Sequence, residues 1–303
     1  MKNNDNMGVN IKQVARLAKV SPSTVSLVIN NKPGVGRETR YRVNKIAQAV
    51  NYRPNLVARS LVKGMSHAIA FLITSTLNPI FPEMAAGMED VLRKHGYSLS
   101  IISTHGDKEL EAVEIDGIRA RGIDGIITSD ALVDGRNLIS LVESGYPVVS
   151  ILRQVYDCDA IDYVVVDGAK GGYMAAEHLI RLGHTQIGII RGPLNTSTGI
   201  ERTKGAVMAL EDYGIPLRNH LFCQGDFFQE SGYVGTKKFL ELRAADRPTA
   251  IFATNDEMAL GAFEAIVDAG LKIPDEMALV GFNNVKTTAL RSIEITTVSQ
   301  EKQ

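Results

Sequence analysis

Cysteine is scarce, because the 303 residues contain only Cys158 and Cys223, which lie far apart in sequence. Two such thiols make neither a disulfide framework nor a metal cluster, so we expect a reducing, cytoplasmic environment. Long apolar runs are also absent. The longest candidate, Ala68 to Ile73, has the length of a strand, whereas a bilayer span needs about 18 residues. The polar N-terminus, MKNNDNMGVN, lacks the apolar region of a signal peptide.

Sequence signatures of catalysis are missing as well. The six histidines show no H-E-x-x-H or similar metal-binding spacing, and no G-x-G-x-x-G follows a predicted strand. Ser21, Ser23 and Ser26 have no histidine near them in sequence. We therefore expect no catalytic residues, no metal and no cofactor, although an enzyme that converts sugars or nucleotides remains an alternative.

Charge is distributed unevenly along the chain. Residues 1–66 hold 12 Lys and Arg against 2 Asp and Glu, a net charge of +10. The remaining residues hold 21 basic and 32 acidic side chains, a net charge of −11. A basic N-terminal segment followed by an acidic remainder suggests that only the N-terminal segment contacts a polyanion.

The N-terminal segment, residues 9–53, has the pattern of a small helical domain. Asn10 with Gln13 three residues later predicts a capping box at the start of a first helix. Ser21, which precedes a proline, predicts the start of a second helix. A third helix is predicted from about Arg37 to Val50, where apolar residues recur at helical spacing.

The second of these helices has a polar face with small side chains. Helical spacing turns Pro22, Ser23, Ser26 and Leu27 outward, whereas Val25 points inward. A helix with short outward side chains, preceded by another helix and a tight turn, suits insertion into the major groove of DNA. We therefore predict a helix-turn-helix domain.

The rest of the chain has a different pattern. Residues 54–66 indicate a short hinge helix and linker, and residues 67–303 alternate strand-sized apolar runs with amphipathic helical segments. This alternation predicts parallel sheets covered by helices. The strands are too many for one small sheet, so we expect two α/β lobes, a first and a second in chain order.

Motifs throughout the chain resemble those of one family. They include VNIKQVARLAKVSPSTVSLVINNKP, NYRPNLVARSL, AAEHLIRLGHTQIGIIRGP, PTAIFATNDEMALGAFEA and IPDEMALVGF. In this order they resemble the lactose repressor/galactose repressor (LacI/GalR) family of bacterial transcription regulators. The resemblance implies an all-α helix-turn-helix head and a body similar to two-lobed periplasmic sugar-binding proteins.

The resemblance also assigns roles in DNA binding. Pro22, Ser23 and Leu27 match the base-facing positions of the recognition helix. Family members usually carry arginine where this chain has Leu27, so the resemblance does not carry over a bidentate guanine contact, and we expect Leu27 to pack on thymine methyl groups instead. Packing in the core of the head is the alternative role of Leu27.

The hinge motif LVARSL matches a helix that pairs with its dimer mate in the minor groove. Leu61 matches a leucine wedge that opens a central base step, and Arg59 and Lys63 would lie near phosphates. A plain amphipathic linker is the alternative interpretation of this segment.

Effector-binding positions carried over from the family lie in the predicted body. They are Phe81, Thr196, Thr198, Arg202, Phe227 and Asp256. Arginine and aspartate suit the orientation of polar metabolites, and phenylalanine suits stacking. Arg202 and Asp256 each have an alternative role, as a solvated side chain and as a helix cap respectively.

Taken together, these features predict a homodimeric repressor that binds pseudo-palindromic operator DNA under control of a sugar or a nucleoside- or purine-like effector. No membrane partner is expected. The sequence leaves open whether the effector releases or tightens DNA binding. A stand-alone solute-binding protein is disfavoured, because it would carry a signal peptide and no basic head.

The C-terminus departs from the family pattern. Relatives continue past the motif matched by Ile295 to Val298 into a further helix and strand, whereas this chain stops at Gln303. We expect the first lobe to lose apolar cover, and stability and dimerisation to be lowered with it.

The hinge hypothesis predicts the effect of Leu61→Ala. Specific binding should weaken by on the order of a few kcal/mol, because only the bent complex uses the wedge, and most non-specific binding should remain. Fluorescence anisotropy on specific and random duplexes measures both affinities. Equal losses on the two DNAs would contradict the wedge.

Overall fold

A computed structural model describes residues 9–52 and 64–300. The internal contacts of the chain divide it into two compact units, Met1–Ser66 and His67–Gln303, called here the head and the body. A separate hinge stays a prediction, because residues 53–63 lie outside the described part. Within that part, no helix combines the length and the apolar character needed to cross a membrane.

The head contains three helices, as predicted. They are α1 (Ile11–Ala18), α2 (Pro22–Ile29) and α3 (Arg37–Ala49). The predicted capping box is confirmed, since Asn10 accepts from the Gln13 backbone N–H and the Gln13 side chain accepts from that of Asn10. Ser21 caps α2 by accepting from the backbone N–H of Thr24. These caps fix where α1 and α2 begin and therefore which faces meet in the core.

The core of the head is small and apolar. Its fully buried members come from all three helices: Val14, Ala15, Ala18, Val25, Val28, Val43 and Ala47. The Arg40 guanidinium ties the turn between α2 and α3 by donating to the carbonyl oxygens of Val28 and Lys32. The apolar core and the Arg40 hydrogen bonds therefore fix the position of α2, and its polar face stays on the surface of the head.

The body consists of alternating strands and helices. The first lobe contains β1 (Ala68–Ile73), α4 (Ile80–Lys94), β2 (Ser98–Ser103), α5 (Lys108–Ala120), β3 (Gly125–Thr128), α6 (Arg136–Glu143), β4 (Val148–Ile151) and β5 (Asp162–Val164). The second contains α7 (Gly168–Arg181), β6 (Ile187–Arg191), α8 (Ser197–Asp212), β7 (Phe222–Gln224), α9 (Gln229–Leu240), β8 (Ala250–Ala253), α10 (Asp256–Asp268), β9 (Ala278–Asn283) and β10 (Thr296–Ser299).

Each lobe is built on one parallel sheet. The strand orders are β2-β1-β3-β4-β5 and β10-β9-β8-β6-β7. Every residue of β8 and β9 is buried, which is typical of parallel strands covered by helices on both faces. The predicted two-lobed α/β architecture is confirmed. Because the strands are parallel, the loops at their carboxyl ends gather at one edge of each sheet, where open α/β folds bind ligands.

Helices α7 and α8 of the second lobe pack closely at glycines. A Cβ at Gly172 would lie 2.0 Å from the carbonyl oxygen of Arg202, and one at Gly205 would lie 1.8 Å from that of Ala169. No side chain fits these separations, so the two glycines determine how near α8 lies to α7. The position of the backbone at Arg202 depends on this contact.

This packing predicts that Gly172→Ala destabilises the body. The added methyl group forces backbone apart, at a cost of about 1–3 kcal/mol, and the melting temperature should fall. Gly117→Ala is the matched control, because Gly117 also lies inside a helix but its Cβ would meet only the end of the Arg121 side chain at 3.4 Å. The control should be neutral or stabilising by up to about 1 kcal/mol. Equal melting temperatures for the Gly172 variant and the wild type would contradict the close-contact argument.

Candidate functional site

The predicted DNA-reading face of α2 is exposed in the head. Pro22, Ser23 and Leu27 are exposed and Ser26 is half-buried, whereas Val25 is fully buried. The Leu27 side chain keeps 37% exposure, so it lies outside the core of the head. An exposed leucine on this face offers an apolar contact of the kind that thymine methyl groups make.

The hinge residues of the predicted DNA interface cannot be placed in the same way. Arg59, Leu61 and Lys63 lie outside the described residues. Their contacts with DNA stay predictions.

The body contains a cleft between its two lobes. One cavity in it has a volume of about 190 Å³. Across it, Thr74, Asn78, Asp130 and Arg153 of the first lobe face Asn195, Thr196 and Phe227 of the second. A smaller neighbouring cavity of about 40 Å³ is lined by Phe81, Thr198, Arg202, Phe227, Asn255 and Asn283, among others. Five of the six predicted effector residues therefore line these two cavities.

Arg202 is a buried cation at the cleft. Its side chain is 4% exposed, and its Nη1 donates to the carbonyl oxygen of Thr254 at 2.7 Å. The guanidinium lies 3.8 Å from the ring centroid of Phe282, and its Nε has no hydrogen-bond partner among the described residues. Burial lowers the pKa of Arg202 to about 9, against the favourable charge of Asp256. Because Arg202 also lines the smaller cavity, its guanidinium offers donors for a ligand with acceptor oxygen or nitrogen atoms.

A buried ion pair lies on the opposite side of the cleft. Arg153 Nη1 donates to Asp130 Oδ1 at 2.9 Å, and both side chains are less than a tenth exposed. The Thr104 hydroxyl donates to the other oxygen of Asp130. Burial lowers the pKa of Arg153, and the Asp130 carboxylate opposes that shift. Neither residue is predicted from the sequence, although Asp130 closely follows the apolar strand β3 and Arg153 closely follows β4.

Phe227 bridges the two cavities from the second lobe. Its backbone has a φ of 73°, in the left-handed region, and Asn255 Nδ2 donates to its carbonyl oxygen at 2.9 Å. The ring lies on the backbone of Gly192, where a Cβ would be 2.1 Å from it. The ring centroid is 5.7 Å from the Arg153 guanidinium of the other lobe. A fixed aromatic face thus forms one wall of the cleft.

Two further predicted residues act partly as structural groups. The Thr196 hydroxyl caps α8 by accepting from the backbone N–H of Gly199, and it also lines the larger cavity. Phe81 is buried and packs edge-on against Phe71, with part of its surface against the smaller cavity. Both remain predicted contacts for a ligand.

Asp256 is a buried carboxylate with two hydrogen bonds inside the body. It is fully buried, and it is not among the described residues that line either cavity. Its carboxylate accepts from the backbone N–H of Val285 and the hydroxyl of Thr297. The adjacent Asn255, and Asn283 at the end of β9, line the smaller cavity instead. The ligand contact at Asp256 stays a prediction, and these two amides are further candidate contacts for a ligand.

A larger cavity lies elsewhere on the first lobe. It is an apolar groove of about 560 Å³ lined by side chains such as Met84, Met88, Val91 and Ile151. Polar metabolites need several well-placed hydrogen-bonding groups, which the cleft offers and this groove does not. The cleft is therefore the better candidate for a site that binds a polar effector.

Comparison with protein families and relatives matches both parts of the chain. Residues 10–55 match the family of bacterial regulatory proteins, lacI family. Residues 66–303 match the family of periplasmic binding proteins and sugar binding domain of LacI family. The HTH-type transcriptional repressor PurR of Aliivibrio salmonicida is 34% identical over 97% of this chain and 87% of its own length. The ribose operon repressor of Haemophilus influenzae is 35% identical over 96% of this chain and 87% of its own.

Solved structures agree with these matches. A lac repressor dimer bound to operator and the anti-inducer ONPF has a TM-score of 0.85 and 27% identity. The match covers 98% of this chain and 88% of the lac repressor chain. A complex of the transcriptional regulator CelR with cellobiose has a TM-score of 0.71 and 27% identity. The match covers 97% of this chain and 88% of the CelR chain. The chain belongs to the LacI family of bacterial transcription regulators.

Proposed function

We propose that this protein is a homodimeric repressor whose affinity for operator DNA is set by a small polar ligand in the cleft. The observation that carries the proposal is the buried Arg202, which lines the cleft together with amides and an aromatic ring. The same chain carries a helix-turn-helix head with an exposed α2 face. Because its partner is operator DNA, we propose that it acts in the cytoplasm.

The cleft suits a ligand the size of a monosaccharide, a nucleoside or a purine base. Its larger cavity, at about 190 Å³, is below the roughly 300–1,000 Å³ of typical drug-sized sites. The Asp130 carboxylate is already engaged with Arg153 and Thr104, so the groups that remain to bind a ligand are mainly amides, hydroxyls and arginine donors. The names of the two curated relatives, a PurR protein and a ribose operon repressor, support these ligand classes.

A regulatory role follows from the two-lobed cleft. A ligand that contacts both lobes binds one lobe arrangement more tightly than another. If DNA binding also favours one arrangement, the free energy by which the ligand changes DNA affinity equals the free energy by which DNA changes ligand affinity. We propose binding without turnover, because the two curated relatives are named as repressors. The enzyme alternative is tested by incubating the ligand with the protein and looking for products.

The head predicts sequence-specific binding to a pseudo-palindromic duplex. Selection from a random duplex library, followed by anisotropy titration, should yield a site with two-fold symmetry that mirrors the dimer. Affinity should fall steeply with added salt, because phosphate contacts release counterions. If no sequence outcompetes bulk DNA in the presence or absence of any ligand, the repressor function is wrong.

The cleft predicts that Arg202→Ala removes the ligand response. A thermal-shift screen of sugars, nucleosides and purine bases identifies the ligand, because binding raises apparent stability by mass action. In the Arg202 variant that shift and the change in operator affinity should both disappear, since the buried donor to the ligand is lost.

Arg243→Ala is the matched control for this variant. Arg243 lies in the same lobe, is 87% exposed and pairs only locally with Asp246. It should keep the full response. An unchanged response in the Arg202 variant would place the ligand site elsewhere.

A further inference from the structure

The smaller cavity of the cleft is lined by two buried arginines from opposite lobes. Arg153 comes from the first lobe and Arg202 from the second. The other polar side chains that line the cavity are hydroxyls and amides: Thr74, Asn78, Ser129, Thr198, Asn255 and Asn283. The described residues that line it include no aspartate or glutamate. This cavity therefore presents positive charge and neutral hydrogen-bonding groups to a ligand.

The two guanidinium groups are close enough to repel each other. Burial is the main cause that lowers the pKa of Arg202 to about 9, and the positive charge of Arg153 lowers that pKa further, whereas Asp256 raises it. A pKa of about 9 still leaves Arg202 protonated at neutral pH. An anionic group between the two arginines relieves their repulsion, because opposite charges at short range favour the charged form of each.

Both arginines also have a carboxylate that acts on them from within the body. Asp130 binds Arg153 at 2.9 Å and lines the larger cavity, and the charge of Asp256 favours the charged form of Arg202. Such counter-charges are needed because a buried cation without one tends to lose its proton. The arginines therefore stay charged before a ligand binds, and each can make charge-assisted hydrogen bonds to an anion.

The size of the smaller cavity selects a small anionic group. One water molecule needs roughly 10–15 Å³ of such space, so a cavity of about 40 Å³ holds about three groups of that size. A carboxylate has three heavy atoms, whereas a phosphate has five. Guanidinium groups also match the planar carboxylate in geometry and bind it through paired hydrogen bonds.

The larger cavity suits the uncharged part of such a ligand. Its lining includes the carboxylates of Asp130 and Asp226, which accept hydrogen bonds from hydroxyl groups and repel a second anion. Phe227 lines both cavities and offers an apolar ring face to the carbon atoms of a sugar. The difference in charge between the two cavities therefore orients a ligand that has one anionic end and several hydroxyl groups.

We propose that the effector is a sugar acid whose carboxylate lies in the smaller cavity between Arg153 and Arg202, and whose hydroxyl groups lie in the larger cavity. Arg153 is then the residue that selects the acid over the corresponding neutral sugar. The inference rests on the proposed function, because it names the ligand class of the same cleft.

Matched pairs of ligands test the need for a carboxylate. Thermal shift and titration calorimetry of the full chain compare D-gluconate with D-glucitol, D-ribonate with ribitol, D-glucuronate with D-glucose, and D-galacturonate with D-galactose. The acid of each pair carries a carboxylate where its partner carries a CH₂OH group. At least one acid should bind about tenfold or more tightly than its neutral partner and change operator affinity.

Phosphorylated sugars separate the two kinds of anion. D-ribose 5-phosphate and D-glucose 6-phosphate enter the same titrations. Weaker binding of both than of the active acid supports the carboxylate. Tighter binding of either phosphate than of every acid overturns it, because the anionic group is then not the one that the size of the smaller cavity selects.

Arg153→Gln tests the residue that selects the acid. The ratio of acid affinity to neutral-sugar affinity should fall about tenfold or more, because the variant removes the charge but keeps hydrogen-bonding groups. Asp130→Asn combined with Arg153→Gln keeps the buried pair neutral and should show the same fall, so the test survives if the single variant does not fold. Arg181→Gln is the matched control, since Arg181 is exposed on α7 and pairs with Glu177. It should keep the full ratio.

Three results contradict the proposal in different ways. Equal binding of the active acid and its neutral partner, or an unchanged ratio in both Arg153 variants, overturns the sugar acid. A neutral sugar, nucleoside or purine base that changes operator affinity, with no response to any acid, overturns the sugar acid and leaves the proposed function intact. If no compound of these pairs or of the wider screen binds or changes operator affinity, the proposed function fails and the sugar acid fails with it.

Discussion

The burial of two guanidinium groups where the parallel strands end is the constraint that shapes the cleft. Arg153 is compensated within its own lobe by the Asp130 carboxylate at 2.9 Å. The Arg202 guanidinium instead donates to a carbonyl oxygen, lies over an aromatic ring and interacts electrostatically with Asp256. A desolvated donor without a partner costs free energy until an acceptor arrives. Both guanidinium groups line the smaller cavity, so a ligand there meets one buried cation from each lobe.

The sequence predicts the fold well where apolar residues recur with a clear period. The head helices and strands such as β1, β8 and β9 are buried runs bounded by strong caps or turns. Short or polar elements escape prediction: β7, β10, α6 and α9 lack such runs. Helices α7 and α8 begin several residues earlier than their apolar pattern suggests, because their first turns are rich in glycine and small polar residues, and the caps Asp167 and Thr196 mark the true starts.

The site is less completely predictable than the fold, because a motif identifies a segment and not the direction of each side chain. In the TNDEMA segment, family resemblance singles out Asp256, and the structure adds that the cap residue Asn255 lines the smaller cavity and that the Asp256 carboxylate binds the Thr297 hydroxyl of β10. The apolar periodicity of the sequence does not predict a cleft position for Asn283, because this residue ends a fully buried strand in a left-handed conformation. Arg153 and Asp130 offer a usable signal, a charged residue within two or three positions of an apolar strand, which indicates the carboxyl end of a parallel sheet.

The contacts between the lobes explain how a small ligand can control a large domain. Apart from packing around Val285, polar bridges among the described residues include Val133 N–H to Asn195 O at 2.9 Å and Gln154 N–H to the Ser197 hydroxyl at 2.8 Å. Each net hydrogen bond is worth only about 1 kcal/mol, so alternative lobe arrangements differ by little free energy. Allosteric coupling of about 1–3 kcal/mol, which changes affinity roughly 5- to 150-fold, then requires only a few ligand bonds made in one arrangement and lost in the other. A ligand in the smaller cavity meets Arg202 of the second lobe and Thr74 and Asn78 of the first, so its bonds depend on how the two lobes are arranged.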